Sequence, residues 1–415
     1  MKNNCSLTVE NFYTICADLG LDIANNTTHN IWIGFSGGVD SRVLLELTRL
    51  VFANNYKLIA VHINHGINNN ADLWQEHCSN TCKTLNIEFR AIKIIIDPNK
   101  LVKKNNLEAT LRLSRLAVWK NLVLANNNDV VLLAHHMNDQ VETLFLRLLR
   151  GSGLKGLAAI KSKTNVNTIK IIRPLLNTSR TQIEDFAKQH NLLYIQDDSN
   201  YDQNFTRNFL RHTVFPQLNN KWPKFINNIN RTVKHLQQAD LFITNIVQAA
   251  LVKCYIYANY NDDANFKNYG KNILSISKLL TYDNFLQTEI LRQFIINQGF
   301  YPPDESGLQK IYTDIIAAGA DRQPKLNLRQ YIIRRYRDKL YIYAANFLAK
   351  KNPSFHNIIG DLAIYVGDSI NNISMVKAKK MFQKFGIPPW QRYNYPLVFC
   401  HNKLIAILGL WCKGL

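Results

Sequence analysis

Long apolar runs are missing from this sequence, and their absence sets its first limits. No segment approaches the roughly 18 uninterrupted apolar residues of a membrane helix, and the amino terminus, MKNNCSLTVENF, has no basic stretch followed by an apolar core. A cytoplasmic protein with no membrane partner is expected. Cysteine is sparse: seven residues, an odd and scattered set, exclude a disulfide framework and fit a reducing compartment. Cys78 and Cys82 stand one helical turn apart near His77 and His65, but no second cysteine pair completes a four-ligand metal site, so they read as structural thiols. Charged residues make up only 19% of the chain against 47% hydrophobic, which excludes a disordered polyelectrolyte. Acidic residues are the scarcer sign. Thirty Asp and Glu face 50 Lys and Arg, a formal charge of +20, and the natural partner of such a surface is a polyanion, although a uniformly basic proteome would leave the same mark.

At 415 residues the chain exceeds one compact core, so two or three domains are expected. From Ile31 to about Leu193, short β-branched runs (IWIGF, KLIAVHI, FRAIKIII, VVLLAHH, KIIRPLL) alternate with helical patterns at Val39 to Ala53, Ala71 to Leu85, Asn106 to Leu124, Asp139 to Leu149 and Ser179 to His190. The last opens on a Ser cap with Gln three residues later. Strands alternating with helices predict an α/β domain on a parallel sheet covered on both faces. Past Pro216 the texture becomes mainly helical, closing on RQYIIRRYRDKLYIYAA, a hairpin with its turn at Arg-Asp-Lys. After a polar break, a small α+β piece ends in LVFCHNKLIAILGLWC, two apolar runs about a polar turn. The expected domains are 1–216, 217–347 and 348–415.

The first strand runs into Phe35–Ser41, FSGGVDS, directly before a helix, so loop amides and the helix amino terminus converge on one point. Gly37 and Gly38 let the backbone approach an anion, and Ser36 and Ser41 add hydroxyl donors. Asp40 stands where a phosphate loop of the GxxxxGK[ST] type ends in Lys, and a carboxylate among phosphates requires a cation between them, which makes Asp40 a candidate magnesium ligand. The bland alternative is a turn that only joins strand to helix.

In AHHMNDQVET, His135, Asp139 and Glu142 fall within one to two turns, with both carboxylates on one helical face; ordinary capping is the competing explanation. Glu108, Arg112 and Arg115 sit on adjacent turns of an amphipathic helix and alone would form surface pairs. Asp197 to Arg211, with Arg207 and Arg211, alone reads as a solvated loop leading into a helix. His62 and His65 invite a zinc reading, though a polar strand terminus accounts for them better.

The loop resembles the signature of the N-type ATP pyrophosphatases, the PP-loop superfamily, which cleave ATP between its α and β phosphates. VHINHGI, LEATLRLSRL, AHHMNDQVETLFLRLLRGSGLKGL, RPLLNTSRTQIEDF, DDSNYDQNFTRNFLR and the carboxyl-terminal KKMFQKFGIPPWQRYNYPLVFCHNKLIAILGLW resemble, in content and order, the tRNA(Ile)-lysidine synthetases. That likeness covers nearly the whole chain. It implies a Rossmann-like PP-loop domain, ATP and magnesium, free L-lysine, and the minor tRNA(Ile) with a CAU anticodon. It also implies that the protein ligates lysine to C2 of the wobble cytidine through an adenylated base, releasing AMP and diphosphate.

By the same resemblance, Ser36, Gly37, Gly38, Val39, Asp40 and Ser41 bind ATP. Asp40, Arg112, His135, Asp139 and Glu142 form the catalytic set, with the acidic pair drawing lysine, and Glu108, Arg207 and Arg211 contact tRNA or substrate. Many members of the family carry Asp where Asn138 stands here, so Asn138 stays outside that set. Arg334, Arg335, Arg337, Lys377, Lys379, Lys380, Trp390 and Arg392 offer phosphate contacts and stacking planes for RNA. A homodimer is left open. The rival on the same scaffold, tRNA thiolation, calls for CxxC pairs that the sequence lacks; an amidotransferase calls for a glutaminase nucleophile; a degenerate RNA-binding protein would not keep Asp40 beside phosphate.

Overall fold

The computed structural model describes residues 7–23, 30–66, 70–94, 104–123, 129–166, 169–196, 206–257, 272–319, 322–345, 355–359, 362–366, 376–401 and 403–412. The chain divides into two compact units, Met1–Leu241 and Phe242–Leu415.

The first unit is built on β1 (Asn30–Gly34), β2 (Lys57–Asn64), β3 (Glu88–Lys93), β4 (Val130–Leu132), β5 (Lys163–Val166) and β6 (Ile169–Ile172), in spatial order β3-β2-β1-β4-β6-β5. All neighbours are parallel except the edge strand β5. Its helices are α1 (Val9–Asp18), α2 (Val39–Phe52), α3 (Ala71–Thr84), α4 (Lys104–Val123), α5 (Met137–Leu148), α6 (Leu154–Leu157), α7 (Arg180–Gln189), α8 (Thr206–Phe209) and α9 (Phe215–Lys221), followed by α10 (Phe225–Cys254).

Alternate strand residues go to opposite faces, and both faces are covered. Ile31, Ile33, Leu58 and Leu132 pack against α1, α2 and α7 through Phe12, Val43, Leu44, Leu47, Ile183 and Phe186. Trp32, Ile59, Val61, Val131 and Ile171 pack against Trp119 and Val123 of α4. Each such side chain contributes about 1.5–3 kcal/mol by leaving water. Cys78 and Cys82 lie inside the first of these clusters, and burial pushes both thiols up to about 12.

The expected helices and five strands are present, with differences at their ends. VVLLAHH pairs only as far as Leu132, after which the Leu133 amide bonds to the Ile172 carbonyl and the chain turns at His136, the cap of α5. Thus α5 starts at Met137, two residues before the expected Asp139. The edge strand β5, of sequence KTNV, has no apolar run to announce it, and α1 shows only Phe12 and Cys16 as buried positions.

The second unit joins a helical stretch, α11 (Ile276–Leu279), α12 (Asn284–Asn297) and α13 (Glu305–Lys310), to the antiparallel sheet β7-β8-β11-β10-β9. These strands are β7 (Tyr255–Tyr257), β8 (Asn272–Ser275), β9 (Lys325–Asn327), β10 (Tyr331–Tyr336) and β11 (Lys339–Ala344). The expected hairpin is β10–β11, closed at Arg337, whose φ is 54°, and Asp338. A second sheet, β12 (Phe355–Ile359), β13 (Leu362–Val366), β14 (Leu397–Cys400), β15 (Lys403–Ile407) and β16 (Trp411–Cys412), packs with α14 (Val376–Lys384) through Phe382, Leu397, Leu404 and Ile407.

Several basic and aromatic residues expected to face RNA are engaged in the fold. Arg335 is buried and donates to the carbonyls of Ile315, Ile316, Ala318 and Arg337. Trp390 donates to the Tyr343 hydroxyl, sits edge-on to Tyr336 and Tyr341, and carries the Arg334 guanidinium over its ring. Arg392 donates to the Ile387 carbonyl. Lys379 and Lys380 stay exposed on α14.

Candidate active site

Strand β1 lies between β2 and β4; the chain runs outward through β2 and β3 on one side, then through β4 and β6 on the other. The connections leaving β1 and β4 therefore part at the carboxyl edge of the sheet, which opens a crevice at this switch point. Phe35–Gly38 forms one lip of the crevice and Ala134–Asp139 the other.

The first lip is shaped by close packing. Gly37 has φ +91°, and a Cβ there would come within 2.6 Å of Ile195 Cδ1 and 3.0 Å of Cys78 Sγ. The Ile195 amide fastens the turn by donating to the Gly37 carbonyl at 2.9 Å. Ser41 Oγ accepts from the Ser36 amide at 3.2 Å, donates to the Gly38 carbonyl at 2.9 Å and lies 3.0 Å from Ser36 Oγ. The cap of α2 is Gly38, which supplies no side-chain oxygen, so the first-turn amides keep their capacity to bind an anion. His62 Nδ1 meets the Phe35 carbonyl at 3.0 Å, which places this histidine in support of the loop.

Asp40 occupies the first turn of α2. Both of its carboxylate oxygens accept from Arg180 Nη1, at 2.8 and 2.6 Å, while Arg180 Nε donates to Glu184 at 2.7 Å. On the second lip, His136 Nδ1 accepts from the Asn138 amide at 3.2 Å, so a neutral ring carries its proton on Nε2. That atom stands 3.6 Å from Asp40 and 3.7 Å from Asp139. Asp139 completes the capping box by accepting from the His136 amide at 2.9 Å. Burial by itself raises the Asp139 carboxyl, but the rings of His136 and His135, that amide and Arg211 outweigh it and hold it below its ordinary value.

Glu142, one turn on, has a side chain only 1% exposed, and its Oε2 has no partner among the described residues. Arg211 Nη2 and Nε reach its Oε1 at 2.6 and 2.8 Å, and Arg211 Nη2 lies 3.8 Å from Asp139. Burial nevertheless lifts the Glu142 carboxyl above its ordinary value, against the pull of Arg211. His135 is lowered to about 4, chiefly by burial; Asp139 opposes this, while Arg173, Arg207 and Arg115 add to it.

Asp40, His136, Arg180 and Arg211 are among the residues that line a cavity of about 480 Å³, inside the range of roughly 300–1,000 Å³ usual for small-molecule sites. Of the residues expected from sequence, Ser36, Gly38, Val39, Asp40 and Arg211 line it. Gly37, Ser41, His135, Asp139 and Glu142 are not among its lining residues, though Asp139 and Glu142 are joined to it through Arg211. Arg207 lies on α8, one turn before Arg211. Glu108 and Arg112 belong to α4, but their side chains fall outside the described residues, as do residues 197–205 of the segment that leads to Arg207 and Arg211.

The other lining residues were not in the site expected from sequence: Asn138, which was left outside it, and Trp74, Glu184, Tyr194, Ile195, Gln196, His212, Arg180 and His136, of which the last two carry charge or a titratable ring to Asp40. The signal for Arg180 was a cation in the first turn of α7, where the helix dipole disfavours positive charge. For His136 it was adjacency: of two neighbouring histidines, the one that caps the helix is the one that turns into the crevice.

Three family models match the chain: a PP-loop domain over residues 11–218, a TilS substrate binding domain over 274–341 and a TilS substrate C-terminal domain over 375–414. Among curated relatives, the tRNA(Ile)-lysidine synthase of Buchnera aphidicola subsp. Baizongia pistaciae is 32% identical, with 94% of this chain and 93% of the relative covered. Those of Coxiella burnetii and Haemophilus influenzae are each 30% identical, covering 93% and 96% of this chain and 90% and 98% of the relatives. Among solved structures, the U34-tRNA thiolase NcsA of Methanococcus maripaludis aligns with a TM-score of 0.47 at 20% identity, over 55% of this chain and 78% of that one.

Proposed function

Because the chain belongs to the tRNA(Ile)-lysidine synthase family, and is therefore an ATP-using ligase, we propose that it joins free L-lysine to C2 of the wobble cytidine in the CAU anticodon of the minor tRNA(Ile). The cavity at the switch point carries this reading, since it sets an uncapped helix amino terminus, a carboxylate and two arginines around a space of nucleotide size. The modules read from sequence would divide the work: 1–216 performs the chemistry, and 217–347 and 348–415 grip the RNA.

In the first step the cytidine C2 oxygen attacks the α phosphorus of ATP, and the bond to the β phosphate breaks to release diphosphate. In the second, the lysine ε-nitrogen attacks C2, and AMP departs with the former C2 oxygen. Adenylation is needed because an amide-like oxygen is a poor leaving group whereas AMP is a good one. The loop amides and the Ser36 hydroxyl hold phosphate oxygens, and Arg211 and Arg112 meet charge that develops on the adenylate. Lysine attacks as a neutral amine, so its ammonium must lose a proton. Asp139, ionised, draws the ammonium, and Glu142, whose carboxyl is lifted by burial, is the better proton acceptor of the pair. His135, uncharged at neutral pH, donates or accepts a hydrogen bond without adding charge.

Magnesium fits the donor set at the loop. Asp40 is a single carboxylate beside hydroxyls and phosphate-binding amides, and magnesium is commonly held by one or two carboxylates together with substrate phosphates. Asp40 would hold it, and the ion would supply charge neutralisation of the departing diphosphate.

The test is incorporation of labelled lysine, with ATP and magnesium, into transcripts of the minor isoleucine tRNA and of a methionine tRNA that share a CAU anticodon. Label in the isoleucine transcript alone is expected. ATP conversion to AMP with no label in either would refute lysine as the nucleophile.

A further inference from the structure

The Arg180–Asp40 pair sits at the phosphate end of the cavity, and both members line it. Its construction is unlike that of a pair serving stability. Arg180 spends one amino group on both Asp40 oxygens, its Nε is held by Glu184, and Nη2 has no partner among the described residues. Side-chain exposures of 37% and 27% leave the pair open to water, where an ion pair contributes little. The cation also stands in the first turn of α7, against the helix dipole. Glu184 fixes the guanidinium plane, so the group is positioned even when its partner changes.

The carboxylate it covers belongs to the phosphate loop. While Arg180 holds Asp40, the single loop carboxylate is neutralised and Arg180 is itself engaged; a ligand rich in phosphate oxygens must separate the two. We infer that the Arg180–Asp40 pair is a resting latch across the phosphate end of the cavity, and that Arg180 becomes a ligand of the nucleotide's departing diphosphate when Asp40 turns to a divalent cation. A planar two-pronged donor suits that oxygen-rich group, and the half-engaged guanidinium has a prong ready for it. One consequence is synergy: the cation and the diphosphate each open the latch for the other. The inference rests on the nucleotide reading of the cavity and not on which nucleophile follows.

The test uses the full-length protein without tRNA or lysine, titrated with inorganic pyrophosphate by calorimetry, either with excess magnesium or with EDTA. With magnesium, Arg180→Gln should weaken pyrophosphate binding by about ten- to a hundredfold, Arg180→Lys should recover part of the loss, and AMP, which lacks the departing phosphates, should bind as to the parent. In EDTA, Asp40→Asn should bind pyrophosphate more tightly than the parent, because Arg180 is released, and the gain should vanish in the double variant Asp40→Asn/Arg180→Gln. Parent-like pyrophosphate affinity of Arg180→Gln, or equal losses for pyrophosphate and AMP, would overturn the assignment. If Arg180→Gln does not fold, Arg180→Lys with magnesium and the EDTA comparison of Asp40→Asn with the parent decide the matter alone. Loss of lysine transfer with these binding differences intact would count against the proposed reaction and leave the latch standing.

Discussion

Replacing Gly37 and Gly38 by alanine, one at a time, adds the same methyl group to adjacent backbone positions with opposite surroundings. At Gly37 the backbone is left-handed, with φ +91°, and the new carbon would lie 2.6 Å from Ile195 Cδ1 and 3.0 Å from the buried Cys78 Sγ. The left-handed conformation costs an alanine roughly 1–2 kcal/mol. Ile195 can rotate its terminal carbon away, but Cys78 is locked in the core, so overpacking brings the total to about 2–4 kcal/mol. For a unit of this size that lowers the melting temperature by on the order of 10 °C. Gly38 has φ −72° and ψ 163°, ordinary for alanine, and its nearest neighbour would be Ser36 Oγ at 3.7 Å. Stability there should be unchanged or better by a few tenths of a kcal/mol, since alanine restricts the unfolded chain. Yet Gly38 lines the cavity where the backbone must approach phosphate, so ATP affinity should fall about tenfold or more. Thermal melting and ATP calorimetry on both variants read the two effects separately. A Gly38→Ala protein that binds ATP as the parent does, or a Gly37→Ala protein that melts as the parent does, would refute the account of the loop.

Three further outcomes follow from the same geometry. The folded state keeps His135 neutral down to about pH 4 while the unfolded chain protonates it near 6.5, so the unfolded state binds more protons in between and stability falls as pH drops through that window. His135→Asn should remove on the order of 2–3 kcal/mol of that pH dependence, measured as the difference between urea unfolding curves of parent and variant at pH 7.5 and pH 4.5; parallel pH profiles would exclude His135 as the cause. Arg335→Met should destabilise the second unit by about 3 kcal/mol or more, because it leaves buried carbonyls without donors, and should leave the salt dependence of tRNA binding unaltered; a shallower salt slope would return Arg335 to the RNA surface. For the parent, the affinity for tRNA should decline steeply with added salt, as several Lys and Arg displace counterions; a flat response in a filter-binding series would make the charge of +20 incidental.

Some features needed no tertiary context. The alternation of β-branched and amphipathic segments carried the layered α/β domain, because a parallel strand buried on both faces must be apolar throughout and its crossover helix must show one apolar stripe. The phosphate loop was legible for a similar local reason: two glycines between a buried strand and a helix have few other uses. The capping box at Ser179 and the β10–β11 turn are likewise set by residues within four positions of one another.

Pairings between distant segments were not legible. Asp40 and Arg180 are 140 residues apart, and Glu142 and Arg211 are 69 apart; nothing in either neighbourhood states that they meet. The sheet order β3-β2-β1-β4-β6 makes both meetings, by placing the ends of β1 and β4 side by side with α7 and the segment after residue 206 beside them. The same folding decided which histidine faces Asp40, since α5 begins at Met137, two residues before the expected start, which makes His136 its cap and sets it 3.6 Å from Asp40. It also decided which basic residues of the second unit are spent on the fold, as with Arg335. Sequence alone determined the strands and helices with a clear apolar pattern and the phosphate-binding loop, because those depend on neighbours along the chain, whereas the edge strand β5 took its pairing from β6. The charges that face one another across the cavity were decided only by the tertiary structure, because an ion pair depends on distance in space.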